Sequence, residues 1–272
     1  MKNPILNSFS HIRPARGEVA ICRLGQHSFI LKSGETLIAL DPYLTPESPR
    51  LIPPLIAAED LAGMSLICCS HDHGDHLDRP SLRAMSEASP KARFLVPEAV
   101  RPSVSEIPAD RIDGMNDGQT REYAGIRVTA VASAHEFLDR TSSGLYPYLG
   151  YVIECGGVTV YHAGDCCVYE GLLTKLAKFR PDVMLLPING RDAERLAANC
   201  IGNMTYQEAA DLAGWLDVPL VIPAHYDMFA MNLEDPQKFL DYMRVKYPAL
   251  EARLLAPGEI LTAKGRRNAG PV

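Results

Sequence analysis

One stretch of this chain limits what it can fold into more than any other. "SHDHGDHLD" (70–78) places three histidines and three aspartates within nine positions. His71 and His73 are two residues apart, with Asp75 and His76 close behind. Residues two apart on a helix do not share a face, so this spacing belongs to a loop leaving a strand. Imidazole nitrogens and carboxylate oxygens are the usual ligands of zinc, manganese and iron. Four such side chains on one short loop can divide between two ions, and the remaining ligands must come from elsewhere in the chain.

The rest of the sequence offers them. Six of the eight histidines lie in four segments: the loop itself, "SAHE" (His135), "YHAGD" (His162) and "PAHYD" (His225). Each of the last three ends an apolar run that reads as a strand. Separate loops converge at strand ends along one sheet edge, which makes His135 and His225 candidate ligands. Asp165, after the Gly164 turn, is a further candidate. His162 stands beside it and is expected to support the ligands from behind. His11 and His27 read as ordinary surface or core residues.

The segments between these motifs set the fold class. "EVAICRL" (18–24), "HSFILKS" (27–33) and "TLIALD" (36–41) predict strands joined by hairpins, and "MSLICCS" (64–70) predicts a buried strand running into the histidine loop. "RFLVP" (93–97), "IRVTAVAS" (126–133), "YLGYVIEC" (148–155), "VTVYHAG" (158–164), "DVMLLPI" (182–188) and "VPLVIPAHY" (218–226) predict further strands. Helices are predicted over "DRPSLRAMSEA" after Asp78, over "EGLLTKLAKF" (170–179) and over "DPQKFLDYMRV" (235–245). Another starts at Thr205, whose spacing to Glu208 is that of a capping box. Two successive series of strands and helices predict two mixed sheets covered by helices, an α/β sandwich of four layers. With no linker or repeat in its 272 residues, the chain reads as one domain over 1–272.

Composition removes some functions. The net charge of −6, with 27 basic residues dispersed among 33 acidic ones, gives no positive face for nucleic acid. No stretch approaches the roughly 20 apolar residues of a membrane span. The first twenty residues lack an apolar signal core, so a cytoplasmic location is expected. Seven cysteines, an odd number with two adjacent pairs, do not look like a disulfide framework. Cys166 and Cys167, beside Asp165, are expected to be inert packing residues.

"HDHGDH", followed in order by His135, Asp165 and His225, resembles the hallmark of the metallo-β-lactamase superfamily. That resemblance implies a four-layer αββα fold. It also implies two divalent metal ions (zinc or manganese, with iron a further option). His71, His73 and His135 would hold one ion, Asp75, His76 and His225 the other, and Asp165 would bridge them. "SHDHGDHLD", "YHAGDC", "NMTYQEAADLAGWLDVPLVIP" and "VIPAHYDMFAMNLEDP" further resemble the L-ascorbate-6-phosphate lactonase branch. The implied reaction is attack by a hydroxide bridged between the two ions, opening a small lactone or cleaving an ester. Asp75 is expected to orient the water as well as bind metal, and either Asp75 or a metal-bound water would carry a proton to the leaving oxygen.

Polar loops at the same edge supply candidate substrate contacts. Asn189 and Arg191 lie in "PINGRDAERLAANCIGN" (187–203), where a guanidinium would suit a substrate phosphate or carboxylate. Tyr226 follows His225. The expected partner is therefore a small molecule, with a homo-oligomer left open. The alternative within the same fold is a phosphodiesterase acting on a small-molecule or phospholipid diester. An iron redox domain would be expected to carry an acid where His73 stands, together with a flavin domain for which this length has no room.

Overall fold

A computed structural model describes residues 3–46 and 49–266. Strands β1 (Glu18–Gly25), β2 (Ser28–Ser33), β3 (Thr36–Leu40), β4 (Leu66–Cys68), β5 (Arg93–Pro97) and β6 (Ile112–Met115) lie side by side in chain order. The second sheet contains β7 (Thr120–Tyr123), β8 (Ile126–Ala132), β9 (Leu149–Cys155), β10 (Val158–His162), β11 (Val183–Pro187), β12 (Leu220–Ala224) and β13 (Glu251–Ala252). The last strand, β14 (Ile260–Lys264), returns to the first sheet and pairs antiparallel with β1.

The layers follow from side-chain alternation along the strands. On β1, Val19 and Ile21 point to the space between the sheets, where they meet Phe29, Ile38, Val128, Tyr151, Val160 and Leu185. Ala20 and Cys22 point the other way, into a core shared with helices α1 (Pro4–His11) and α2 (Arg79–Ala88). On the second sheet, Tyr161, Met184 and Val221 face α3 (Leu172–Ala177) and, beyond the short helix α4 (Ala193–Ala197), α5 (Tyr206–Trp215) and α6 (Pro236–Lys246). Central strands buried on both faces read as continuous apolar runs, which is why the sequence showed them so clearly. The architecture is the expected four-layer αββα sandwich.

Helix starts agree with their sequence signals. Thr205 and Glu208 form a reciprocal capping box on α5, and Asp235 caps α6 ahead of Pro236. Asp78 precedes α2 as expected. Its carboxylate does not cap α2 but accepts the amides of Leu44 and Thr45 at 2.7 and 2.8 Å, and the Thr45 hydroxyl. A charge held by three donors within the chain ties the loop after β3 to the histidine loop.

Strand direction sets the position of the functional residues. In the first sheet β1, β3, β4 and β5 run the same way. In the second, β8, β10, β11 and β12 do so. The loops leaving their C-terminal ends carry the candidate metal ligands, Asn189, Arg191 and Tyr226, and His162 is the last residue of β10. Among the described residues no helix is long and apolar enough to cross a membrane, and all seven cysteines are free thiols.

Candidate metal centre

The site is assembled from four strand ends. The loop after β4 turns tightly, with the amides of His76 and Leu77 both donating to the carbonyl of His73 at 3.0 and 2.8 Å. This turn brings His71, His73, Asp75 and His76 to one place. His135 follows β8, Asp165 follows β10 and His225 follows β12. Gly164, one residue before Asp165, has φ +59°, and a Cβ there would lie 2.6 Å from the Ser70 Cβ. Only glycine lets the Asp165 turn approach the histidine loop this closely.

Two donor clusters result. His71, His73, His135 and Asp165 bring one ligand atom each to within 4.8 Å of one another, and so do Asp75, His76 and His225. Asp165 faces both: its Oδ2 is 3.6 Å from His135 Nε2, while its Oδ1 is 3.2 Å from His76 Nε2 and 3.1 Å from His225 Nε2. Asp75 Oδ2 lies 3.5 Å from His76 Nε2 and 3.4 Å from His225 Nε2. A tetrahedral ion with ligands at about 2.0–2.1 Å needs donor atoms about 3.3–3.4 Å apart. The spacings around Asp165 Oδ1 and Asp75 Oδ2 match that requirement.

Hydrogen bonding and charge fit a metal as well. Among the described residues, His71 Nε2, His76 Nε2 and Asp165 Oδ1 are buried with no hydrogen-bond partner. Buried polar atoms of this kind are costly unless something binds them. The two clusters also call for positive charge. Burial alone would lower His225, but Asp165 and Asp75 push its pKa up to about 9. His76 is likewise driven well above the ordinary histidine value, against burial, by Asp165, Asp75 and Asp41. A divalent cation would supply that charge in place of protons.

Behind the clusters sits Asp41, which the sequence reading had placed only at the end of a strand. It is fully buried, at the C-terminal end of β3, and its carboxylate accepts the Ser70 amide and hydroxyl, both at 2.7 Å. It also contacts His76 Nδ1 at 2.7 Å and His162 Nε2 at 2.8 Å. Burial would raise its pKa, but His162 and His76 hold it far below the usual carboxylate range. An ionised Asp41 fixes the proton of His76 on Nδ1, leaving the Nε2 lone pair turned into the cluster. His162 thus stands one residue further back, with its ring 4.3 Å from that of His27.

Two more residues were missed. Gln26, in the turn after β1, donates through Nε2 to Asp75 Oδ2 at 2.7 Å and lies 2.9 Å from His225 Nε2. In a sequence it reads as an ordinary hairpin turn residue. The Tyr148 ring lies 5.3 Å from the rings of His71 and His135 and 6.0 Å from that of His73. Burial, with Asp72, Asp139 and Asp165 nearby, raises its phenol pKa. No local pattern marks such a tyrosine.

The expected substrate contacts are engaged within the chain. The fully buried Asn189 donates to Asn232 at 2.6 Å and accepts from Asn203 at 3.1 Å. Arg191 forms a two-pronged pair with Glu208, at 2.6 and 2.7 Å, and also donates to the Asn203 carbonyl. Tyr226 is buried, with the Arg23 guanidinium 4.9 Å above its ring. Cys166 is fully buried, and burial pushes its thiol up to about 12. Asp72 is exposed.

Comparison with known proteins gives the geometry a family context. A model of the beta-lactamase superfamily domain matches residues 36–226. A UPF0173 metal-dependent hydrolase of Methanoculleus marisnigri is 30% identical over 242 residues, covering 87% of this chain and 93% of that protein. Among solved structures, Igni18, a metallo hydrolase from Ignicoccus hospitalis, superposes with a TM-score of 0.69 at 22% identity, covering 90% of this chain and 98% of that one. CmlA, a diiron beta-hydroxylase from Streptomyces venezuelae, gives 0.70 at 15% identity, covering 92% of this chain and 54% of that one. At such identities the structural likeness speaks to the fold alone.

Proposed function

The chain belongs to the β-lactamase superfamily and within it to the UPF0173 metal-dependent hydrolases, and from that premise we propose that it uses two divalent ions to hydrolyse a small lactone or ester. The observation that carries this reading is the orientation of Asp165, whose two carboxylate oxygens face different donor clusters. His71, His73 and His135 would hold one ion, Asp75, His76 and His225 the other, and Asp165 would contact both. When bound, such a pair lowers the pKa of water from 15.7 to roughly 7 and polarises the carbonyl under attack. Zinc and manganese suit this donor set, and iron does too.

The chain's own groups would do the rest. Asp75, with one oxygen held by Gln26, orients the attacking water and can take its proton on the carboxylate. Tyr148 keeps its proton at neutral pH, and beside the His71 ring it would hydrogen-bond the leaving ring oxygen. Asp41 keeps His76 turned toward the second cluster. The motifs shared with the L-ascorbate-6-phosphate lactonase branch support a sugar-phosphate lactone as the substrate. Arg191 could bind its phosphate only by leaving Glu208.

Metal analysis of the native protein, followed by a panel of lactones, esters and phosphodiesters with the ion found, tests the proposal. We expect two ions per chain and turnover within the lactone and ester members. Turnover confined to phosphodiesters would replace the lactone reading with the diesterase one. No turnover across the panel by metal-loaded protein would overturn both.

A further inference from the structure

The turn between β1 and β2 meets the segment that carries His225 residue by residue. The buried Arg23 lies over the Tyr226 ring and pairs with Asp227 at 2.7 Å. Gly25, with φ +115°, allows the Met228 side chain to approach so that a Cβ would sit 3.2 Å from its Cε. Gln26 itself has φ +49° and His225 has φ +58°, and the His225 amide donates to the Gln26 carbonyl at 3.1 Å. Two residues in the left-handed region, joined by a backbone bond, hold a geometry that neither side chain favours.

The Gln26 side chain adds a second hold. Its carboxamide nitrogen donates to Asp75 Oδ2 at 2.7 Å. The same nitrogen lies 2.9 Å from His225 Nε2. Asp75 and His225 are two of the three donors found only in the second cluster. Asp41 holds the third, His76. Nothing comparable ties Gln26 to His71, His73 or His135 among the described residues.

We propose that Gln26 is a positioning residue for the second ion alone, its carboxamide holding Asp75 and its backbone carbonyl holding His225 at the spacing that an ion requires. This rests on the two-ion reading of the site. Gln26 thereby separates the affinities of the two ions: the first depends on the histidine loop and His135, the second on a turn some two hundred residues away in the chain from His225.

The test is a titration of metal-free protein with Zn²⁺ against a chromophoric chelator. Wild type should bind two ions. Gln26→Met, which keeps length but not the donor, should weaken the second by about 10–100-fold and leave the first unchanged. Gln26→Ala, which cannot overfill the site, should do the same, and binding of the first ion shows that each variant is folded. In the wild type, the side-chain amide resonances of Gln26 should shift with the second equivalent of Zn²⁺ and not with the first. Unchanged affinity for both ions in the two variants, or amide shifts complete at the first equivalent, would overturn the proposal. Fewer than two ions on wild type would overturn the two-ion reading itself.

Discussion

Asp41 Oδ2 and His76 Nδ1 lie 2.7 Å apart with both side chains wholly buried, so the orientation of one ligand of the second cluster is fixed by a carboxylate outside it. His162 shares the same oxygen at 2.8 Å. Asp41→Asn keeps the shape but removes the charge that holds both imidazoles. Metal affinity should fall by about 10–100-fold, as is usual when the partner of a ligating histidine is lost. Competition with a chelator measures it, and unchanged affinity would remove Asp41 from the account.

Tyr148 gives a prediction that separates chemistry from metal binding. Tyr148→Phe keeps the ring against His71 and His135, so metal content should equal that of wild type. If the hydroxyl hydrogen-bonds the leaving oxygen, kcat should fall by about 10²-fold, within the range for proton transfer by a positioned side chain. Equal kcat in the two proteins would assign the tyrosine to packing.

Arg191 and Glu208 give a stability prediction. The pair is half-exposed, so Arg191→Ala should cost only about 0.5–1 kcal/mol in urea unfolding. Thr205→Ala, which removes the cap on the same helix, should cost about 1 kcal/mol. Because the guanidinium is engaged with Glu208, kcat/KM for an unphosphorylated lactone should stay within about threefold of wild type in Arg191→Ala. A loss of tenfold or more would show that the guanidinium leaves Glu208 during turnover.

A pH prediction comes from a pair far from the metal centre. Burial tends to raise the Asp113 carboxyl, but the fork from Arg93, at 2.9 and 2.5 Å, and the Tyr123 hydroxyl at 3.0 Å bring it below its ordinary value. A carboxyl lowered in the folded state contributes stability that is full above its unfolded pKa of about 3.9. The contribution is lost as pH falls through the folded value. Wild type should therefore melt above Asp113→Asn at pH 7, and the gap should close as pH falls below the ordinary carboxylate range. A constant gap in thermal melts would contradict the assignment.

What the sequence made legible was whatever the chemistry or the packing left little freedom to vary. The hexad 71–76 and the later His135, Asp165 and His225 stood out because few residue types coordinate metal, and the turns around them must close tightly. The central strands stood out because both of their faces are buried. Short elements did not. The strand Ile112–Met115 contains a glycine and no alternation, Thr120–Tyr123 is largely exposed, and Ala193–Ala197 is a helix of five residues. Asp41 and Gln26 were hidden for another reason. A carboxylate after a strand and a glutamine in a hairpin turn look ordinary until the fold shows what they face. Arg191 stood out through its charge, and its partner Glu208 was already visible as the capping-box acid.

The central claim is that hydrolysis needs two ions held by these clusters. It is tested most directly by following bound metal and turnover together as Mn²⁺ or Zn²⁺ is returned to chelated protein, with His73→Ala in parallel. We predict no turnover without metal, a rise that completes at two ions per chain, and a folded His73→Ala that binds one ion fewer and does not turn over. Full turnover by metal-free protein, or by His73→Ala, would contradict the account.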